Sequence, residues 1–267
     1  MLGGGDVIRL FVSDLDGCVS IPFQQPPLDV LGELVSLHRS RAEDPCVPPL
    51  TLCTGRPLAY ADAVAQWLGV EVPFLFESGS GMYDPVANRV WWSPHLNRAT
   101  EEALDRLRPL IHGDLVARHP GTMAEFAKLE DVGVVNPDAA VIAKILGEVE
   151  GLVAELVAGS VDGEVDLEIH STAVSVNVIP RAANKGSGIA WLAEHLGLSL
   201  DEIAFMGDSG GDLSGLTRVA MPFAPANAAD EVKAVARVMA GEATRGLLEA
   251  YRAVIEHNRG LAREGGA

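Results

Sequence analysis

Val7-Ile8-Arg9-Leu10-Phe11-Val12-Ser13-Asp14-Leu15-Asp16-Gly17 runs from an almost wholly apolar segment straight into two carboxylates and a glycine. Such a run suits a central strand of a parallel sheet, covered on both faces. The polar residues mark its end. The pattern recurs: Leu50-Thr51-Leu52-Cys53 stops at Thr54-Gly55-Arg56-Pro57, and Pro73-Phe74-Leu75-Phe76 stops at Glu77-Ser78-Gly79. Residues 201–206 repeat it before Gly207-Asp208-Ser209-Gly210-Gly211-Asp212. Between these runs, apolar residues recur at helical spacing. They are Leu31, Leu34, Val35 and His38, then Leu58, Ala61, Val64, Ala65 and Leu68, and later Ile189, Leu192, Ala193 and Leu196. Strand, loop and helix in alternation predict a doubly wound α/β sheet. A short strand near 219–221 and a helical region from about 228, broken at Gly241, complete it.

The rhythm changes near Met82. A strand at 89–92 and a helix at 98–111 lead to a strand pair at 124–128 and 133–135. A helix opened by Pro137 then reaches about 157, and a second strand pair follows at 164–169 and 173–179. Helix, strand, strand, helix, strand, strand describes an α+β unit inserted into the first one. The expected division is a core of residues 1–81 and 181–267 with an inserted domain at 82–180. Trp91 and Trp92 read as part of the insertion's own core.

Composition narrows the function. With 267 residues, 48% hydrophobic and 21% charged, the chain is globular and large enough for one big domain or two unequal ones. Its 20 Lys+Arg against 37 Asp+Glu give a net charge of -17, so the basic face that nucleic acid or an anionic membrane requires is missing. A phosphate-bearing substrate would need local positive charge against this background. No apolar run approaches the roughly 20 residues of a membrane helix. Met1-Leu2-Gly3-Gly4-Gly5-Asp6 lacks the basic and apolar regions of a leader. Cys18, Cys46 and Cys53 match no zinc spacing, which points to free thiols in a reduced, cytoplasmic protein.

Ligands of open α/β sheets bind outside the carboxyl ends of the strands. Four polar strand ends of one sheet converge on one place. Asp14 and Asp16, two apart, project to the same side of an extended chain, and two close carboxylates repel unless a cation or a shared proton intervenes. Asp208 and Asp212 add two more acids. An all-carboxylate set without nearby thiol or imidazole favours a hard cation, Mg²⁺ before zinc. Asp14 and Asp208 taken singly are ordinary helix caps. Capping does not call for acids at two remote strand ends together with Asp16.

These segments resemble the haloacid dehalogenase superfamily of Mg²⁺-dependent phosphohydrolases. Its four motifs stand in order as Asp14-Leu15-Asp16-Gly17, Thr54-Gly55-Arg56, Lys185-Gly186 and Gly207-Asp208-Ser209-Gly210-Gly211-Asp212. An α/β cap between the second and third resembles the Cof-type, sucrose-phosphate phosphatase-like branch. The Phe76–Gly79 and Asn227–Lys233 segments resemble further motifs of that branch. The resemblance implies a Rossmann-like core with an α+β cap and a small phosphorylated metabolite, a sugar phosphate, as substrate. It implies an Asp14 nucleophile, Asp16 as acid and base, and Thr54 and Lys185 on the phosphoryl group. Mg²⁺ would be held by Asp14, the Asp16 carbonyl and Asp208, with Asp212, Ser209, Gly55 and Arg56 in support. Two positions depart from the branch: Gly211 and Ser78 each stand where it usually has asparagine.

In the insertion, His95, Arg98, His119, His170, Ser171 and Asn177 are candidates to face the site, with His170 and Ser171 first because they lie between two strands. Arg56 is free to take phosphate or to pair with an acid such as Asp62. Two other functions fit the same core. A phosphomannomutase-type phosphomutase would need cap arginines, for which Arg89, Arg98, Arg106, Arg108 and Arg118 are available. A non-catalytic ligand-binding protein would not need Asp14, Asp16, Lys185 and Asp208 together.

Overall fold

The computed structural model describes residues 6–160 and 164–265, so the leader reading of residues 1–5 lies outside the described residues. In chain order the strands are β1 (Leu10–Ser13), β2 (Leu50–Leu52), β3 (Phe74–Phe76), β4 (Gly81–Asp84), β5 (Arg89–Trp92) and β6 (Met123–Ala124). They continue as β7 (Val132–Val135), β8 (Leu167–Ser171), β9 (Ser175–Pro180), β10 (Ile203–Met206), β11 (Met221–Ala224) and β12 (Arg237–Val238).

The core sheet is parallel throughout, in the order β12-β11-β10-β1-β2. β1 lies inside it, and Leu10, Phe11 and Val12 are buried on alternate faces, which is why its sequence is apolar without alternation. Phe11, Leu50 and Leu52 pack beneath the helices Leu28–Arg39, Leu58–Leu68 and Ala243–Gly265. Leu10, Val12, Ile203 and Phe205 pack beneath the helix Lys185–Leu196 on the other face. Helices on both faces make the sheet doubly wound, as the sequence predicts. The first strand starts later than expected because Val7 is exposed.

β3 joins the sheet edge through a parallel bridge between Cys53 and Leu75, then pairs antiparallel with β4, which pairs with β5. Met82 is buried with Leu75 and Ile189. Trp91 packs against His195 with ring centroids 5.0 Å apart, and Trp92 meets Phe76 edge-on at 5.4 Å. Both tryptophans therefore flank the core, correcting their expected place inside the insertion. We propose that the inserted unit begins after Trp92, at about 93, rather than at 82.

The insertion is an antiparallel sheet in the order β6-β7-β9-β8, covered on one face by the helices Arg98–Pro109 and Ala139–Ala158. Leu104, Leu107, Val132, Val134, Ile145, Val149, Val176 and Val178 fill the space between. The order of elements is the predicted one. Asp138 caps the second helix by accepting the Ala140 N–H at 2.8 Å. The strand expected at 124–128 ends at Ala124, because the chain turns there to carry Lys128 inward. Among the described residues no helix is long and apolar enough to cross a membrane.

Candidate active site

Four loops at the carboxyl ends of core strands, with the uncovered side of the inserted sheet, enclose a cavity of about 440 Å³. Asp14, Asp16, Gly55, Arg56, Ser78, Lys185, Asp208, Ser209 and Gly211 line its floor. The Asp14 N–H continues the ladder by donating to the Met206 carbonyl at 2.8 Å, which fixes it beside the loop after β10. Gly17 is at φ +77°, and a Cβ there would lie 2.0 Å from Asp208 Oδ2. Only glycine lets the two acidic loops approach this closely.

Asp14, Asp208 and Asp212 bring carboxylate oxygens within 4.8 Å of one another. Asp212 is already saturated. Its Oδ1 accepts from Lys185 Nζ at 2.7 Å, and its Oδ2 accepts the N–H groups of Asp208 and Ser209 and the Ser209 hydroxyl at 3.0, 2.9 and 3.1 Å. It orients its neighbours and leaves Asp14 and Asp208 with free oxygens, a hard donor set that suits a divalent cation. Lys185 Nζ also reaches Asp14 Oδ1 at 2.9 Å. Burial, reinforced by Asp212, pushes the Asp208 carboxyl up to about 8. Burial pushes Asp14 up to about 7 even though Lys185 pulls the other way. Burial opposes the charge on Lys185, yet Asp14 and Asp212 hold its pKa well above the ordinary lysine value. Positive charge at this spot is what two ionised carboxylates lack.

Asp16 lines the same cavity but stands outside this close group of three. Arg56 grips it with two parallel bonds, Nε to Oδ2 at 2.6 Å and Nη2 to Oδ1 at 2.9 Å. Arg56 therefore takes an acid, but Asp16 rather than Asp62, which accepts from Gln66 along its own helix. Thr54 is fully buried and is absent from the cavity wall; its hydroxyl accepts the Arg56 N–H at 3.2 Å. The free thiols of Cys18 and Cys53 lie buried beneath the floor.

The roof comes from the insertion. His170, Ser171 and Asn177 line the cavity, as do Glu125 and Lys128. His170 Nε2 pairs with Glu168 at 2.8 Å, and its Nδ1 lies 3.0 Å from where a Cβ on Gly211 would sit. Ser171 Oγ bonds the Thr172 and Ser175 carbonyls across the hairpin tip. His95, Arg98 and His119 are not in the wall. Arg98 pairs with Glu102, and His119 with Glu148. None of the five candidate arginines of the insertion lines the cavity. Arg89 covers Trp91, Arg118 pairs with Glu148, and Arg108 is spent on backbone carbonyls.

Glu125, Lys128 and Asp131 were missed as a set. Lys128 Nζ gives all three protons away, to Glu125 at 2.7 Å, Asp131 at 3.0 Å and Asn177 Oδ1 at 2.8 Å. Acid, base, acid at intervals of three was the available signal, hidden because Glu125 and Lys128 fell inside a strand expected at 124–128. Asp131 is fully buried, its Oδ1 has no partner, and burial raises its carboxyl to about 6. Replacing the cation strands two buried carboxylates. Lys128→Met should destabilise the protein by about 3–5 kcal/mol, read as a lowered denaturant midpoint. Adding Asp131→Asn should recover part of that loss, and an unchanged midpoint in the single variant would show that the cluster is not a stabilising unit.

The comparisons agree with this geometry. The sequence pattern of the haloacid dehalogenase-like hydrolase family matches residues 135–249. A phosphoglycolate phosphatase of Methanococcoides burtonii is 27% identical over 91% of this chain and 95% of its own. The sucrose-phosphatase of Synechocystis, solved with sucrose and phosphate, superposes with a TM-score of 0.65 at 18% identity, covering 92% of this chain and 98% of its own. A haloacid dehalogenase-like hydrolase of Bacteroides thetaiotaomicron gives 0.67 at 17% identity, with 92% and 99% covered. Residues 135–249 thus match the haloacid dehalogenase-like hydrolase family, and the doubly wound core with its inserted α+β unit has the fold of the solved hydrolases it superposes on.

Proposed function

We propose that the chain is a Mg²⁺-dependent phosphatase that releases phosphate from a small phosphorylated metabolite through an aspartyl-phosphate on Asp14. The observation that carries this reading is the buried pair Asp14 and Asp208 beside Lys185 on the floor of the cavity. A free Asp14 oxygen attacks phosphorus, the bond to the leaving oxygen breaks, and Asp16 gives that oxygen a proton. A water then attacks the phosphorus of the acyl phosphate, Asp16 takes the proton back, and inorganic phosphate leaves with Asp14 restored. Lys185 balances charge on the phosphoryl oxygens, and Asp212 keeps its ammonium in place. Mg²⁺, held by Asp14, Asp208 and the Asp16 carbonyl, would supply the charge that lets an anionic nucleophile meet an anionic phosphate. The bidentate grip of Arg56 fits Asp16 for the second step, where it works as a base.

A neutral polyhydroxyl leaving group, as in a sugar phosphate, suits the roof better than a carboxylated one. Ser171 and Asn177 offer polar groups, while Lys128 and Arg56 are already paired with carboxylates. The phosphoglycolate of the Methanococcoides burtonii relative would add a negative charge with no unpaired cation to meet it. The mutase reading loses support for the same reason, since no cap arginine faces the cavity.

Asp14→Asn should leave the fold intact and lower phosphate release by more than about 10³-fold, measured over a panel of phosphorylated metabolites. Release near the wild-type rate would remove the nucleophile. A second expectation concerns pH. Asp14 and Asp208 hold their protons in the folded state up to about 7 and about 8, but lose them near 4 when unfolded. Between those values the folded state binds more protons, so the stability of the metal-free protein falls as pH rises. Mg²⁺ binds the ionised carboxylates. It should therefore raise the melting temperature more at pH 8 than at pH 5, and EDTA should abolish activity until Mg²⁺ is restored. An equal Mg²⁺ shift at both pH values, or full activity in EDTA, would sink the metal site.

A further inference from the structure

The carboxyl group of Glu77 has no part in the chemistry above, yet the residue is 1% exposed. It opens the loop after β3, where Glu77, Ser78 and Gly79 stand at φ 46°, 59° and 102°. Consecutive left-handed residues persist only where their surroundings hold them. Here the core holds the backbone: the Glu77 N–H donates to the Arg56 carbonyl at 3.1 Å and the Ser78 N–H to the Thr54 carbonyl at 2.9 Å. The side chain is sent the other way. Its Oε2 accepts the backbone N–H groups of Leu129 and Glu130, at 3.0 and 2.7 Å.

Those two amides belong to the cap loop at 125–131, which carries Glu125 and Lys128 into the cavity wall. Apolar packing does not hold this loop down, since Phe126 and Leu129 are 77% and 63% exposed. Polar bonds do. Arg108 on the cap helix collects its carbonyls at Lys128, Leu129 and Asp131, and Glu77 on the core collects its amides. The loop is thus suspended between the two units: its backbone hydrogen bonds to the core run through the Glu77 carboxylate, and Arg56 adds an ion pair to Glu125 at 3.6 Å.

We propose that Glu77 is a positioning residue, a clasp that fixes the cap loop 125–131 over the cavity and so sets Glu125 and Lys128 against the leaving group. The second half of this statement rests on the phosphatase reading; the clasp itself does not. Hydrogen exchange reads the clasp directly. The amides of Leu129 and Glu130 should exchange slowly in the wild type, at least tenfold faster in Glu77→Ala, and slowly again in Glu77→Gln, whose side-chain oxygen still accepts both. Kinetics read the positioning. With the hexose phosphate that the wild type hydrolyses fastest, Glu77→Ala should raise KM at least tenfold, and Glu77→Gln should restore it. For para-nitrophenyl phosphate, which does not fill the roof, kcat/KM should stay within twofold. Unchanged exchange in the alanine variant overturns the clasp, and an equal loss on both substrates overturns the positioning role. A wild type that hydrolyses no phosphoester overturns the phosphatase reading and the positioning role with it, while the exchange result still decides the clasp. Should Glu77→Ala not fold, Glu77→Asp, one methylene too short to span to both amides, gives the same readings.

Discussion

Two buried carboxylates at the end of a parallel sheet cannot both ionise without a cation, and this constraint organises the molecule. Asp14 and Asp208 meet because β1 and β10 are neighbours in parallel register and Gly17 offers no side chain between them. Lys185 supplies one positive charge from the start of a helix, where the backbone dipole disfavours a cation. It is held there by Asp212, which in turn accepts the amides of the loop that carries Asp208. Each group therefore fixes the next. Removing Lys185 would leave buried carboxylates without their cation, a larger penalty than the loss of a single contact.

The roof solves the same problem with different residues. Lys128 is as deeply buried as Lys185 and likewise lies between two carboxylates. Its charge is consumed within the insertion, between Glu125 and Asp131. Arg56 bridges floor and roof, holding Asp16 with two bonds and approaching Glu125 at 3.6 Å. The protein's large net negative charge is thus met locally, by single cations placed between pairs of acids.

Much of this was legible from the chain. Apolar runs broken by acids gave the strands of the core and the ends that carry the floor, because a doubly covered parallel sheet leaves no other reading of such runs. The alternation of elements in the insertion was equally plain. What escaped notice depends on contacts between distant segments. Arg56 had two suitable kinds of partner, and only the approach of the loops after β1 and β2 selects Asp16, forty residues away. Trp91 and Trp92 are apolar enough for any core, and only the pairing of β4 with β3 assigns them to the first unit. Glu125, Lys128 and Asp131 alternate like surface charges, and their burial follows from a turn that no local propensity announces. The Thr54 hydroxyl accepts the Arg56 N–H within its own loop, a contact that the sequence did not announce.

Gly211 carries a consequence for how this chain can change over time. The missing side chain is the room into which the ring of His170 descends from the other unit. Position 211 and position 170 draw on one volume, so neither can grow while the other stays bulky. A lineage that acquires a larger residue on the floor must also shift or shrink the ring above it. The floor and the roof of the cavity, carried by separate units, are in this way tied to a common evolutionary step.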